Sequence, residues 1–147
     1  MFRGQYAHNL DPKGRTSIPS KFREILQTKY GEECLIITHF DGCLWGYPNK
    51  EWEKFEDRIA DLPQFKREVK AIQRMFVSAA CECPIDKQGR ILIPPTLRSY
   101  AELDRDIVIV GMSRRIEIWD QKRWEKEFNK AQENKESIEE VLAEFGI

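Results

Sequence analysis

The chain has 147 residues, a formal net charge of −1, 41% hydrophobic and 33% charged residues, and a mean hydropathy of −0.60. That balance describes a polar globule of one domain or two small halves sharing a core, and it excludes a uniformly basic nucleic-acid-coating protein. It also excludes helical membrane spanning, because no apolar run approaches the ~20 residues that a span needs.

Gln5 to Leu10 is predicted as a short strand that runs into Asp11-Pro12-Lys13-Gly14, which has the Asp-Pro-x-Gly composition of a type I turn. Arg15 to Ile18 leaves the turn as a second strand, with Thr16 and Ile18 on one face and Arg15 and Ser17 on the other. Pro19 ends it. Phe22, Ile25 and Leu26 then sit at helical spacing, and Gly31 is placed to stop that helix after Tyr30. Cys34 to Thr38 and Leu44 to Tyr47 form a hairpin around Asp41-Gly42, and Pro48-Asn49 opens a helix with Trp52, Phe55 and Ile59 on its apolar stripe. Between Leu62 and Val77, the spacing of Phe65, Val69, Ile72 and Phe76 predicts one linking helix.

The same order then repeats. Asp86-Lys87-Gln88-Gly89 is a second turn, Arg90 to Ile93 its strand, and Leu97, Tyr100 and Ala101 stand where Phe22, Ile25 and Leu26 stood. At an offset of 75, Asp11, Gly14, Arg15, Ile18, Pro19 and Arg23 fall on Asp86, Gly89, Arg90, Ile93, Pro94 and Arg98. The offset drops to 72 before the second hairpin, Ile107–Val110 and Ile116–Trp119, so three loop residues are missing there. Asp120 is placed to cap a helix containing Trp124 and Phe128. A charged tail follows from Asn129, with Ile138, Val141, Leu142 and Phe145 as a small stripe. The chain is therefore an internal duplication. A half of about 50 residues buries too little surface alone, so the two copies are expected to share one sheet and core as a pseudo-twofold β-barrel or sandwich with peripheral helices.

Charge is distributed unevenly. Residues 1–30 carry six bases (Arg3, Lys13, Arg15, Lys21, Arg23, Lys29) against two acids, whereas the chain from Asp120 onward carries eight acids against five bases. A locally basic face can bind phosphate if its bases converge. An Asp with an Arg four residues on can be nothing more than a sound hairpin, its exposed ion pair contributing little. Its occurrence in both copies favours a further use. An Asp-anchored guanidinium is a preorganised donor fork, suited to phosphate oxygens or to the O6/N7 edge of guanine, and Lys13 and Lys87 near the two tips add point charges. The sequence offers little for other chemistry. Cys81-x-Cys83, Cys34, Cys43, His8 and His39 lack the spacings of structural zinc, neither His stands in a catalytic context, and no glycine-rich phosphate loop is present. No metal, cofactor or enzymatic activity is expected. Trp45, Tyr47, Trp52, Trp119 and Trp124 read as core packing. The apolar-poor start Met1-Phe2-Arg3-Gly4 and the four irregular cysteines point to the cytoplasm.

Met1-Phe2-Arg3-Gly4, Asp11-Pro12-Lys13-Gly14-Arg15 with Ile18-Pro19, and Asp86-Lys87-Gln88-Gly89-Arg90 with Ile93-Pro94 closely resemble the bacterial MraZ family. So do Tyr47-Pro48, the linking helix and Ile118-Trp119-Asp120. The resemblance implies an α+β fold of two AbrB-like repeats (residues 5–50 and 79–122) closed as a swapped-hairpin β-barrel, with linking helices over 51–78 and a helical tail over 123–147. It implies a DNA-binding regulator, associated with the nucleoid, that assembles as a ring of identical copies, octameric or similar. Such a ring binds short direct repeats in double-stranded promoter DNA ahead of its own division and cell-wall operon. By that likeness Arg15 and Lys13 are the leading DNA contacts, with Ser17 and Arg3 beside them. Arg90 and Lys87 follow, since Leu92 replaces Ser17 and the second turn lacks its proline. Asp11, Gly14, Asp86 and Gly89 shape the turns. A rival reading is a protein-interaction module of the AbrB-like antitoxin kind, docking through the acidic tail.

Overall fold

Strand-forming runs at matching places in the two copies assemble into one sheet. In the computed structural model, which describes residues 1–147, the first copy supplies β1 (Gln5–Asn9), β2 (Arg15–Ser17), β3 (Cys34–Phe40) and β4 (Cys43–Tyr47). The second copy supplies β5 (Cys81–Pro84), β6 (Arg90–Leu92), β7 (Asp106–Met112) and β8 (Arg115–Asp120). Six strands form an antiparallel sheet in the order β1-β7-β8-β4-β3-β5, while β2 and β6 pair with each other as a separate ribbon. Exchanging the two copies turns this order into its own reverse. Each copy also lends a strand to the other: Tyr6 of β1 lies opposite Ile109 of β7, and Leu35 of β3 opposite Cys83 of β5.

The expected barrel does not close. The sheet ends on β1 and β5. The ribbon strands are three residues each, caught between a tight turn and Pro19 or Pro94, so they are too short to zip onto those edges. The ribbon instead packs on one face of the sheet. Ile18, Ile91 and Ile93 meet Ile37, Leu44 and Ile109 in a core of 18 buried residues. At about 1.5–3 kcal/mol for each fully buried large apolar side chain, that core holds the ribbon firmly, although the ribbon shares no ladder with the sheet.

Helix α1 (Ser20–Ile25) continues as a π-helical turn, Leu26–Tyr30, and stops at Gly31, whose φ of +66° is left-handed as the glycine predicts. Helix α2 (Asn49–Ala60) buries Trp52 and Ile59, and Trp52 packs with Ile36, Tyr47 and Phe76 on the sheet's other face. The first two N–H groups of α2 donate to the Glu32 carboxylate at 2.6 and 3.1 Å. The linking segment differs from the sequence expectation. Residues 61–66 turn without forming a helix, because Pro63 lacks an N–H and constrains Leu62. Helix α3 (Arg67–Ile72) starts after them and widens into a π-helical turn, Gln73–Val77. Val69 and Phe76 are buried, but Phe65, expected on the same apolar face, is 95% exposed.

Helix α4 (Pro95–Tyr100) buries Leu97 in the place of Phe22. Asp120 caps α5 (Gln121–Glu133) as expected, its Oδ2 accepting from the Arg123 N–H at 3.4 Å. Helix α6 (Lys135–Glu144) ends the chain, and neither α5 nor α6 contains a buried residue. The aromatics pack, as the sequence suggests: Tyr47 and Trp52 lie 5.5 Å apart, and Trp119 and Trp124 5.8 Å. No helix is long and apolar enough to cross a membrane.

Candidate functional site

Each repeated motif builds the same clip. Oδ1 of Asp11 accepts the N–H groups of Lys13 (3.0 Å) and Arg15 (2.8 Å), and Oδ2 accepts Nε of Arg15 at 2.7 Å. Asp86 repeats this with the N–H groups of Gln88 and Arg90, both at 2.9 Å, and with Nε of Arg90 at 3.2 Å. The turn closes when Gly14 N–H donates to Asp11 O and Gly89 N–H to Asp86 O, each at 2.9 Å. Those glycines have φ of +89° and +79°, a backbone that a residue with a Cβ resists. Hydrogen bonds from the Arg15 and Arg90 backbone hold the Asp11 and Asp86 carboxyls below the usual aspartate pKa. The ion pairs are half-exposed and contribute little to stability. Their effect is on orientation: Nε of each guanidinium is fixed by its Asp, and its terminal amino groups take part in no hydrogen bond within the protein.

The ribbon brings the two forks together. In its register Arg15 faces Leu92, Thr16 faces Ile91, and Ser17 faces Arg90. Thr16 and Ile91 turn into the core, so Arg15, Ser17, Arg90 and Leu92 share the outer face. Arg15 and Arg90 are diagonal neighbours there, about 7–8 Å apart at Cα. Lys13 and Lys87 are exposed at the two turn tips. Arg3 does not join them. Phe2 bridges Ser113 at the β7–β8 turn, and the seven steps from Arg3 to Leu10 span roughly 23 Å at about 3.3 Å per residue.

Sequence reasoning aligned Arg23 with Arg98 but gave neither a part in the site, and both have one. Nε of Arg98 donates to Ile93 O at 3.0 Å, and its guanidinium lies over Gly14 of the other copy, where a Cβ would stand 2.7 Å from it. Arg23 mirrors this, with Nε to Ile18 O at 3.1 Å and its guanidinium over Gly89, 2.6 Å from a Cβ there. Ile18 N–H donates to Gly89 O and Ile93 N–H to Gly14 O, both at 2.9 Å. Each tip is thus held by the opposite copy.

The clefts beside the tips have different charges. The first is lined by Arg98 and Arg105 against Asp11 and Asp104. The second is lined by Arg23 and Lys87 against Glu24, Glu32, Glu33 and Asp86. The sequence signal for this was the place of each charge relative to the repeat: Arg105 and Glu33 are equivalent, their carbonyls accepting from Leu10 and Ile85 N–H. Elsewhere, no three His, Cys, Asp or Glu side chains are arranged to hold a metal, and burial pushes the Cys83 thiol up to about 12.

The comparisons with known proteins agree on one family. The model of the family described as "MraZ protein, putative antitoxin-like" matches the chain twice, over residues 1–75 and 76–145. A protein named transcriptional regulator MraZ from Lachnoclostridium phytofermentans is 46% identical over 147 residues, covering 100% of this chain and 99% of its own. Proteins of the same name from Heliobacterium modesticaldum and Ligilactobacillus salivarius are 44% and 45% identical, each covering 100% of both chains. With two matched repeats, each containing a clipped turn, and full-length relatives at this identity, the chain belongs to the MraZ family.

Proposed function

We propose that this chain is a transcriptional regulator that grips double-stranded promoter DNA with the β2–β6 ribbon. The carrying observation is that Arg15 and Arg90, each clipped by its own Asp, stand diagonally on one exposed ribbon face. A two-stranded ribbon fits the major groove, and an Arg fork matches the O6/N7 edge of guanine. The diagonal of about 7–8 Å is close to two base-pair steps of about 3.4 Å. Lys13, Lys87 and Ser17 contribute backbone contacts. The relatives' shared name, transcriptional regulator, supports the reading.

In this reading the repeats at 5–50 and 79–122 act as one swapped-hairpin unit, joined through 51–78 and followed by the tail at 123–147. The first copy leads, because its cleft is electrically balanced and the second's carries a surplus of carboxylates. One chain makes few phosphate contacts, each adding about 0.9 to the salt slope. A ring of copies on spaced direct repeats converts them into avidity, and occupancy of the chain's own promoter represses it. Arg3, far from the tip, takes no part in base contact.

A footprint on the DNA immediately upstream of its own gene tests this. The expected pattern is protection of evenly spaced short repeats that weakens steeply with salt. Protection that ignores sequence, or none at low salt, overturns the proposal.

A further inference from the structure

We infer that α6 is the donor half of a head-to-tail contact between copies of this chain, seated on the outer face of α3 in the next copy. This rests on the self-association proposed above and assigns its surface.

Helix α6 is the second copy's counterpart of α3. Val69, Ile72 and Phe76 align with Ile138, Val141 and Phe145 at a common offset of 69. In α3 and the π-helical turn after it, the two ends of that stripe fold back while Ile72 is 36% exposed: Val69 is buried, and Phe76 is buried against Phe40, Phe55 and Trp45 at 4.7–5.3 Å. In α6 it faces solvent, with Ile138 44%, Val141 51% and Phe145 75% exposed. The reason lies in the seat. At the offset of 72 that relates the hairpins, the positions of Phe40, Trp45 and Phe55 hold Met112, Glu117 and Glu127. Glu117 is buried, accepting from Nε1 of Trp119 at 2.9 Å and from Arg115 at 3.2 Å. The second copy has replaced an aromatic seat with a satisfied carboxylate, so α6 has nowhere to fold back in its own chain.

The occupant follows from charge. The α6 stripe is flanked by Glu136, Glu139, Glu140 and Glu144, against Lys135, which is paired with Glu139 at 3.8 Å. The segment from the turn before α3 to the π-helical turn after it exposes apolar side chains, Phe65 at 95% and Met75 at 45%, among Lys66, Arg67, Lys70 and Arg74, with Glu68 the one acid from Gln64 to Val77. An acidic amphipathic helix and a basic apolar face on the same chain complement each other. Each chain carries one donor and one acceptor, which is a heterologous contact and closes into a ring where the rotation permits.

The test uses two full-length charge-reversal variants at exposed positions, Glu139→Lys/Glu140→Lys on α6 and Lys70→Glu/Arg74→Glu on α3, sized by light scattering. Each alone is expected to fall from the wild-type assembly to monomer. Mixing the two monomer pools is expected to restore the assembly, since every reversed α6 then finds a reversed α3 and every native α6 a native α3. An assembled wild type that ignores both reversals overturns this interface and leaves the ring intact. Two monomer pools that fail to reassemble overturn it as well, since α6 and α3 are then not partners. A monomeric wild type overturns the assembly reading itself.

Discussion

The two turn tips are built alike and stand in different surroundings. Both clip an Arg with an Asp four residues earlier, both turn through a left-handed glycine, and both lie under an arginine of the opposite copy. Around the first tip, Arg98 and Arg105 balance Asp11 and Asp104, Lys13 is exposed, and Leu92 lies across the ribbon from Arg15. Around the second, Glu24, Glu32, Glu33 and Asp86 outnumber Arg23 and Lys87 in the cleft, and Ser17 lies across the ribbon from Arg90. Part of that acidity has a structural use, since Glu32 caps α2. The fold preserves the clip because the turn needs it, while the charge around the clip is free to diverge.

The largest expected effect is the loss of one fork. Arg15→Ala should weaken promoter binding about fivefold to 150-fold per contacting copy, since a bidentate pair contributes about 1–3 kcal/mol. Arg90→Ala should cost less than about tenfold. Gel shifts at fixed salt compare them, with light scattering to show that the assembly size is unchanged. Equal losses would end the claim that the first tip leads, and a larger loss from Arg90→Ala would reverse it.

Much of this was legible in the chain. Asp, Gly and Arg at fixed spacing specify a turn locally, so its hydrogen bonds could be anticipated residue by residue, as could the Asp120 cap and the Gly31 stop. Two things could not. The sheet stays open because the ribbon strands are too short to reach its edges, a matter of strand length and global geometry that alternation does not encode. The linking helix starts late because Pro63 overrides the stripe that Phe65 suggested. In the site, the parts of Arg98 and Arg23 were hidden because each acts on the opposite copy, and no spacing within one repeat reports a contact between repeats. The register that sets Arg15 and Arg90 on one face was hidden for the same reason.

That crossed arrangement predicts a crossed phenotype. Arg98→Ala removes the group packed over Gly14 and should weaken DNA binding by up to about tenfold, through loss of a charge-assisted hydrogen bond and a loosened first tip. Arg23→Ala should loosen the second tip and cost less. Double variants decide the wiring. Arg15→Ala/Arg98→Ala should be hardly worse than Arg15→Ala alone, whereas Arg15→Ala/Arg23→Ala should be additive. Additivity in both would mean that the arginines bind DNA independently and do not position the tips.

Smaller still is the cost of a Cβ in either turn. Gly14→Ala and Gly89→Ala each force a left-handed backbone, about 1–2 kcal/mol, and push against a guanidinium 2.7 or 2.6 Å away. Thermal melts should fall by a similar few degrees for the two, about 2–4 °C per kcal/mol for a chain near this size. Binding should fall mainly for Gly14→Ala. Equal stability loss with unequal binding loss would separate the shared fold from the divergent field, whereas a parallel change in both quantities would tie binding to stability alone.

The smallest effect concerns pH. Asp11 and Asp86 have carboxyl pKa values held below the ordinary 3.8, first by the backbone N–H of Arg15 and of Arg90. A carboxylate with a depressed folded pKa contributes stability that is complete above its unfolded value and is lost as pH falls through the folded one. The clips should therefore be intact across the neutral range, and stability should decline below about pH 4 as they protonate. Carboxyl carbon titrations by NMR should place both midpoints below that of free aspartate, and Asp11→Asn should remove one of the two transitions while leaving the other. Because the Arg15 clip is shorter than the Arg90 clip, 2.7 Å against 3.2 Å at Nε, Asp11 should titrate at the lower pH of the two. The reverse order would mean that the field around the first tip does less to hold its carboxylate than the clip geometry indicates.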